Sequence, residues 1–323
     1  MTGRYKWRKI LQALLVGGIL WQAPLTAQAA NTDWDADAVI REYTNKIAQD
    51  SSNAVAYQNR GAAYLRKGDL TSAIRDLSRA IELRPDYADA YNNRGNAYFS
   101  KGDTELAMAD YHAAIRLAPE NPVAYNNRGN LENRLADYCK ASGKQAQAET
   151  YYAAAMRDFA EAIRLRPDYA EAYLNRGSLQ GVFGHNAEAI RDYTKVIELE
   201  PSNYRAIVSR GSSYDFMGRT ELALADYNQA IALAPNTGVA YNNRGRIYMM
   251  QENYNLAMQD FQKALSCGDN ALYTYTNLGM LYGRLRRYDE AIDAYSRALS
   301  INQNFKPALD GLKAAYAAKE RGM

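Results

Sequence analysis

A pattern that recurs at regular intervals constrains the fold of this chain more than any other feature. Residues 88–121 carry a Tyr-x-x-Arg-Gly opening, an Asp-aromatic pair and an Ala-Ile-x-Leu ending. The pattern begins at Ala54, Ala88, Pro122, Ala170, Tyr204, Gly238 and Leu272, so its spacing is constant except for one longer step after Pro122. A period in this range indicates a solenoid, in which each repeat buries its apolar face only on its neighbours. We therefore predict one continuous helical array and not two separate globular domains.

Small and aromatic residues occupy fixed registers of the repeat. The eighth register is always glycine: Gly61, Gly95, Gly129, Gly177, Gly211, Gly245 and Gly279. The twentieth is always alanine, and four residues later stands an aromatic residue in most repeats: Tyr111, Phe159, Tyr193, Tyr227, Phe261 and Tyr295. Glycine inside a helix costs about 1 kcal/mol relative to alanine. We therefore predict that the two helix backbones of a repeat nearly touch at the glycine and alanine, with the aromatic residues in the core.

The repeat resembles the tetratricopeptide repeat, in which two helices are joined by a short turn. The resemblance covers residues 54–305 and implies an all-α, right-handed superhelix, an α-solenoid of seven repeats. The predicted repeats are residues 54–87, 88–121, 122–169, 170–203, 204–237, 238–271 and 272–305. Residues 30–53 are predicted to form a leader and a capping helix, and residues 306–323 a C-terminal capping helix.

The third repeat, residues 122–169, is longer than the others by a fourteen-residue extension. Its turn glycine, Gly143, lies twice as far along the chain from Gly129 as Gly68 lies from Gly61. Each helix of the repeat therefore gains about two turns, which predicts a longer hairpin with helices over 123–141 and 145–165. Two interpretations remain open, a specialised site or an insertion tolerated at the edge of the array.

Arginine and aspartate recur together in six of the seven repeats. The predicted pairs are Arg60 with Asp76, Arg94 with Asp110, Arg128 with Asp158, Arg176 with Asp192, Arg210 with Asp226, and Arg244 with Asp260. The seventh repeat loses both members, with Leu278 and Ala294 in their places. Since the two residues disappear together, we predict a structural ion pair across the two helices of each repeat, an arginine fork on a carboxylate.

Asparagine forms a second polar register, one residue before the arginine. The resemblance places this sixth register in the concave groove, and a row of groove asparagines is similar to that of the O-GlcNAc transferase repeats, which hold extended peptide backbone. A carboxamide carries a donor and an acceptor, like a peptide unit. We therefore predict peptide binding by Asn59, Asn93, Asn127, Asn175, Asn243 and Asn277, with Asn92, Asn96, Asn126, Asn130 and Asn242 flanking them. The alternative is that these side chains are solvated or make local helix-end contacts.

Residues 1–29 are predicted to be a secretory signal peptide. Arg4, Lys6, Arg8 and Lys9 precede an apolar stretch, and small residues occupy positions 27 and 29. Export to the periplasm of a Gram-negative bacterium follows. Without this segment the +3 net charge becomes 35 basic against 36 acidic side chains, since four of the 39 basic residues lie in it. A near-neutral chain lacks the basic stripe that a nucleic-acid partner needs, and no membrane span is predicted in the mature chain.

No catalytic motif stands out in the sequence. The two histidines lie in different repeats without metal spacing, and no phosphate-binding or nucleophile motif is present, so we predict no enzyme, cofactor or metal. Cys139 and Cys267 lie in repeats 3 and 6, and Cys267 is predicted to be a small buried apolar residue at a leucine register. The predicted function is a non-catalytic adaptor of the cell envelope that binds extended peptides. The alternatives are a self-assembling structural subunit and a regulator of an envelope enzyme.

Overall fold

The computed structural model describes residues 35–268 and 271–322, so the predicted signal peptide lies outside the described residues. Sixteen α-helices and no strand are present in this part of the chain. The first eight are α1 Ala36–Gln49, α2 Ala54–Lys67, α3 Leu70–Leu83, α4 Ala88–Lys101, α5 Thr104–Leu117, α6 Pro122–Ala141, α7 Gln145–Leu165 and α8 Ala170–Val182. The other eight are α9 Asn186–Leu199, α10 Tyr204–Phe216, α11 Thr220–Leu233, α12 Gly238–Met250, α13 Tyr254–Ser266, α14 Ala271–Arg284, α15 Tyr288–Ile301 and α16 Lys306–Glu320. The predicted all-α fold of helix-turn-helix repeats is confirmed.

The described chain divides into two compact units. The N-terminal unit comprises residues 35–179, and the C-terminal unit residues 180–322. Within each unit the helices pack as consecutive pairs, α2 with α3, α4 with α5 and so on along the chain. Each helix pair is one repeat, and successive repeats pack on one another within their unit.

A left-handed residue ends the first helix of each repeat. Five of these residues are glycines, Gly68, Gly102, Gly143, Gly184 and Gly218, with φ between 72° and 93°. Glycine adopts this conformation without steric cost. The last two repeats place Glu252 and Arg286 in the same turn, with φ of 63° and 58°.

Aromatic side chains of the second helices form the core, as predicted. Tyr111, Phe159 and Tyr227 are 0% exposed, and Tyr193, Phe261 and Tyr295 are also buried. However, the reason predicted for the glycines was wrong in most repeats. A Cβ on Gly95 would lie 2.7 Å from Cε1 of Tyr111, and one on Gly129 would lie 2.8 Å from Cε1 of Phe159. These glycines therefore make room for an aromatic ring and not for a second backbone.

The third repeat contains the two longest helices of the described chain, α6 with 20 residues and α7 with 21. Buried side chains extend into the added turns, including Ala136, Cys139 and Ala148. Cys139 Sγ lies 3.8 Å from Oε1 of Gln147, which joins the two helices near their common turn. The extension is thus a packed hairpin.

Two helices lie at the ends of the described chain. Val39 and Ile40 of α1 are half-buried, while Ala308 and Ala315 of α16 are buried. None of the helices in residues 35–268 and 271–322 has the length and hydropathy needed to cross a bilayer.

The burial predicted for Cys267 was wrong. This residue is half-buried just after α13, and Leu233 at the same register is 44% exposed. The register lies at the end of the second helix, where the side chain is only partly covered by its neighbours.

Candidate functional site

Arginine–aspartate pairs join the two helices within a repeat, at the positions predicted from the sequence. In each of five pairs the arginine donates from Nε and Nη2 to the two oxygens of one carboxylate, at 2.6–3.0 Å. These pairs are Arg60–Asp76, Arg94–Asp110, Arg128–Asp158, Arg210–Asp226 and Arg244–Asp260. The aspartates are 2–5% exposed. Bidentate geometry and burial make these forks structural.

The remaining pair, Arg176 with Asp192, spans the two units, and its pairing stays a prediction. In the seventh repeat the corresponding side chains are Leu278 and Ala294, which are 6% and 3% exposed. That repeat therefore closes the same seam with apolar packing.

The third nitrogen of the arginine connects neighbouring repeats. Arg60 Nη1 donates to Thr44 at 3.1 Å, and Arg94 Nη1 donates to Ser78 at 3.0 Å. In the C-terminal unit the corresponding bonds are Arg210 to Thr194 at 3.3 Å and Arg244 to Asn228 at 2.6 Å. Each acceptor belongs to the helix that precedes the repeat of its arginine. One side chain thus holds its own repeat closed and attaches it to the previous helix.

The asparagines form a further set of bonds between repeats. We use the name first-helix face for the surface formed by registers 5, 6, 9, 12 and 13 of the first helices. Across it, an asparagine at register 6 donates to an asparagine at register 5 of the preceding repeat. The Nδ2–Oδ1 distance is 3.0 Å for Asn127 to Asn92, for Asn175 to Asn126, and for Asn277 to Asn242. Asn243 Nδ2 donates instead to Ser212 Oγ at 3.2 Å.

These bonds and the burial of several side chains bear on the predicted peptide-binding set, which stays a prediction. Five of its eleven asparagines are only 0–7% exposed: Asn92, Asn126, Asn242, Asn243 and Asn277. A buried amide that bonds within the protein has little accessible surface for a peptide. The half-buried members are Asn59, Asn93, Asn96, Asn127, Asn130 and Asn175, and all six belong to the N-terminal unit. The sequence contained a signal for this pairing, because Asn-Asn dipeptides fill registers 5 and 6 of repeats 2, 3 and 6.

Charged and apolar residues complete the first-helix face. In the N-terminal unit the Arg134 guanidinium lies 5.0 Å from the ring centroid of Phe99. In the C-terminal unit Arg246 forms a buried ion pair with Asp215, and burial lowers the pKa of Arg246 to about 10. These contacts also join adjacent repeats, so the face is continuous within each unit.

The third repeat breaks a tyrosine register. Register 11 is tyrosine in five repeats, and its ring lies 5.8 Å from the guanidinium in the pairs Arg94–Tyr98 and Arg244–Tyr248. In the third repeat this residue is Glu132, which is 9% exposed and whose Oε2 has no hydrogen-bond partner within the described chain. Burial raises the pKa of Glu132 to about 7, and the nearby Asp158 contributes to the increase. Our reading of the sequence missed this carboxyl group, although the break in the tyrosine register marks it.

Within the described residues, no group of three or more histidine, cysteine, aspartate or glutamate side chains could hold a metal ion. The first-helix face is instead made of amides, single charges and apolar side chains. Such a surface can bind a peptide or a protein.

Paired helices in series and a continuous first-helix face define the class as an α-helical repeat protein. The particular repeat is the tetratricopeptide repeat. Models of this repeat match residues 88–121, 238–267 and 272–305, and a related model matches residues 170–203 and 204–237. A third model, described as TPR repeat, matches residues 61–102. The chain therefore contains tetratricopeptide repeats, although the extended third repeat lies outside these matches.

Several solved structures share the fold. A tetratricopeptide repeat protein from Parabacteroides merdae aligns with a TM-score of 0.60 and 20% identity, over 86% of this chain and 99% of that chain. The APC/C hetero-tetramer Cut9-Hcn1 aligns with a TM-score of 0.64 and 17% identity, over 87% of this chain and 52% of that chain. Pseudomonas aeruginosa PilF aligns with a TM-score of 0.56 and 15% identity, over 70% of this chain and 97% of that chain. No curated protein matches the sequence.

Proposed function

We propose that this protein is a non-catalytic interaction module whose N-terminal unit binds an extended peptide segment of a partner protein. The repeat fold supports protein interaction in general. The observation that supports a peptide is the row of half-buried amides on the first-helix face of residues 35–179.

Some amides of this row bond within the protein and still have hydrogen-bond donors or acceptors without a partner. Asn127 donates one N–H to Asn92, so its Oδ1 and second N–H remain for a ligand. Asn96 accepts from the Tyr111 hydroxyl at 2.8 Å and keeps its own donors. Because bonds within the protein already hold Asn96 and Asn127, these two side chains lose less rotamer entropy when a peptide binds. A carboxamide bonds to backbone N–H and C=O groups whatever the side chains of the peptide.

The expected affinity is modest. Six amides at about 1 kcal/mol each give roughly 6 kcal/mol, which corresponds to a dissociation constant between millimolar and micromolar. Ordering the peptide weakens it further. The unit therefore suits a partner that is released again.

Binding of a mixed-sequence library of extended dodecapeptides tests this proposal. We expect the Asn93→Ala, Asn130→Ala double variant to lose at least about tenfold in affinity, since both side chains are half-buried on the first-helix face. The matched control is Asn255→Ala with Asn304→Ala, two exposed asparagines outside that face. Equal affinities for the two double variants would contradict the proposal.

We also propose that the protein acts in the periplasm, a location supported by the basic and apolar character of residues 1–29. Mass spectrometry of protein purified from a periplasmic fraction should find Ala30 at the N-terminus. Recovery of the chain only from the cytosol, with residues 1–29 attached, would exclude export.

A further inference from the structure

The C-terminal unit contains a cavity of about 510 Å³ between α14 and α16. Met249 and Met250 from the end of α12 and Met280 from α14 contribute apolar walls. Arg284 lies at the end of α14 and Asp310 on α16. None of these residues belongs to the amide row of the N-terminal unit.

Two glycines, Gly311 and Gly283, line this cavity on opposite walls. Gly311 stands where an asparagine occupies register 6 in six of the seven repeats, and a Cβ on Gly311 would lie 2.3 Å from Cζ of Tyr295. The tyrosine ring therefore excludes the side chain that would otherwise bridge to the seventh repeat. Gly283, on the opposite wall, would meet nothing within 4 Å of an added Cβ. The space beside Gly283 is open, and a bound side chain can occupy it.

The residues that line the cavity favour a ligand that combines an apolar group with charged groups. Methionine side chains are flexible and polarizable, and they adapt to apolar groups of different shape. Arg284 is exposed, and its Nη2 lies 3.6 Å from Met250 Sδ, a weak acceptor. Asp310 also lines the cavity and is exposed. An apolar cavity is thus flanked by one positive and one negative charge, each available to a ligand.

We propose that this cavity is an anchor pocket for one large apolar side chain of a partner's extended segment, flanked by an acidic and a basic residue that pair with Arg284 and Asp310. The volume lies within the usual range for ligand pockets, so a leucine or phenylalanine side chain fits together with adjoining backbone. This anchor pocket is separate from the proposed amide site and supplies the sequence preference that backbone-binding amides lack.

Short synthetic peptides test the anchor pocket directly. In a serine-glycine background, the central triplets are Glu-Leu-Lys, Lys-Leu-Glu and their counterparts with alanine in place of leucine. We expect at least one leucine peptide to bind the full chain about tenfold or more tighter than its alanine counterpart, measured by fluorescence anisotropy. Arg284→Ala should weaken binding of whichever of the two leucine peptides binds more tightly, because the glutamate of that peptide loses its partner.

Gly283→Leu fills the cavity from its own wall and should remove the preference for leucine. Gly181→Leu is the matched control, because Gly181 occupies the same register of the fourth repeat and its added Cβ would lie 3.8 Å from the nearest atom, the Tyr193 hydroxyl. Both substitutions replace a helical glycine, so neither is expected to destabilise its helix.

The outcomes separate the two sites. The anchor pocket is contradicted if Gly283→Leu keeps the preference for leucine, or if the unmutated protein shows no such preference. Neither result contradicts the proposed amide site. A preference lost in the Asn93→Ala, Asn130→Ala variant but kept in Gly283→Leu assigns it to the N-terminal unit and also overturns the pocket. Light scattering that shows a dimer converted to monomer by Gly283→Leu would identify a second copy of the chain as the occupant instead.

Discussion

The two units present different chemistry on the same first-helix face. In the N-terminal unit the face consists mainly of half-buried amides, which Arg134 and Phe99 accompany. In the C-terminal unit the amides at Asn242, Asn243 and Asn277 are buried, and the accessible remainder includes methionines and charged residues. The helix pairs are alike, so the comparison shows that the same register differs in accessibility from one repeat to another. An amide is available to a ligand only where its neighbours leave it uncovered.

The seam inside each repeat gives a second contrast. Repeats with an arginine fork bury a charged pair, whereas the seventh repeat packs Leu278 against Ala294 in the same place. One backbone arrangement therefore accepts both solutions, which permits a direct test of what the charges contribute.

Arg94→Ala should have the largest effect on stability. It leaves Asp110, 5% exposed, without its partner, and we expect a loss of about 3–5 kcal/mol. The double variant Arg94→Leu, Asp110→Ala copies the seventh repeat and should recover much of this loss. Chemical denaturation followed by circular dichroism measures both. A double variant as unstable as the single one would mean that the apolar solution depends on features of the seventh repeat alone.

Glu132→Gln should change how stability depends on pH. The folded chain raises the pKa of Glu132 to about 7, above its value of about 4.3 in unfolded chains. Between these values the folded state binds an additional proton, so the stabilisation present at low pH is lost as pH rises towards 7. Relative to Glu132→Gln, the natural protein should lose about 3–4 kcal/mol between pH 4 and pH 8. Melting temperatures across this range provide the measurement, and Glu149→Gln, exposed on the same hairpin, is the control.

The asparagines of the two units should differ when each is truncated. Asn277→Ala leaves the Asn242 oxygen without its donor in a buried site, and we expect a cost of about 1–2 kcal/mol. Asn93→Ala, on the half-buried row, should change stability by less than about 0.5 kcal/mol. Unfolding midpoints of the two variants test the distinction. Equal losses would show that Asn93 also has a structural role.

The turns should give the smallest effect. Glu252 holds a positive φ of 63° at a position where five other repeats use glycine. Because this conformation is strained for residues with a Cβ, Glu252→Gly should stabilise the C-terminal unit by about 0.5–1 kcal/mol. Gly218→Ala, with φ of 73°, is the reciprocal change and should destabilise it by a similar amount. Thermal unfolding can resolve the two shifts, and a matching sign in both would contradict this account.

The sequence was sufficient for the fold because the signals of each repeat agree with one another. The aromatic, glycine and alanine registers and the turn residues all indicate helix pairs, and such consistency specifies an array strongly. The arginine forks could also be inferred, since the two residues are lost together in the seventh repeat. This joint loss predicts the pairing directly from the sequence.

The candidate site was harder to predict because accessibility depends on neighbouring repeats. Periodicity places Asn93 and Asn243 in one register, yet the first is half-buried and the second is 7% exposed. The difference arises from a bond to Ser212 and from burial that no single repeat reveals. The cavity beside Gly283 was missed for the same reason, since it requires the ring of Tyr295 and the absent side chain of Gly311 to be considered together.

The third nitrogen of the fork arginines has a consequence for cooperativity. In an array whose stability is a sum of repeat and nearest-neighbour contributions, each bond such as Arg94 to Ser78 increases the coupling between adjacent segments. Between the second and third repeats, the residue at the position of Ser78 and Thr194 is His112. Burial and the nearby Arg128 lower the pKa of His112, so a contact between two positive charges is disfavoured there. The array is therefore coupled unevenly along its length. At this junction the second and third repeats are joined instead by the Asn127 to Asn92 bond and by the Arg134 contact with Phe99, so their coupling depends more on the first-helix face than on an arginine fork.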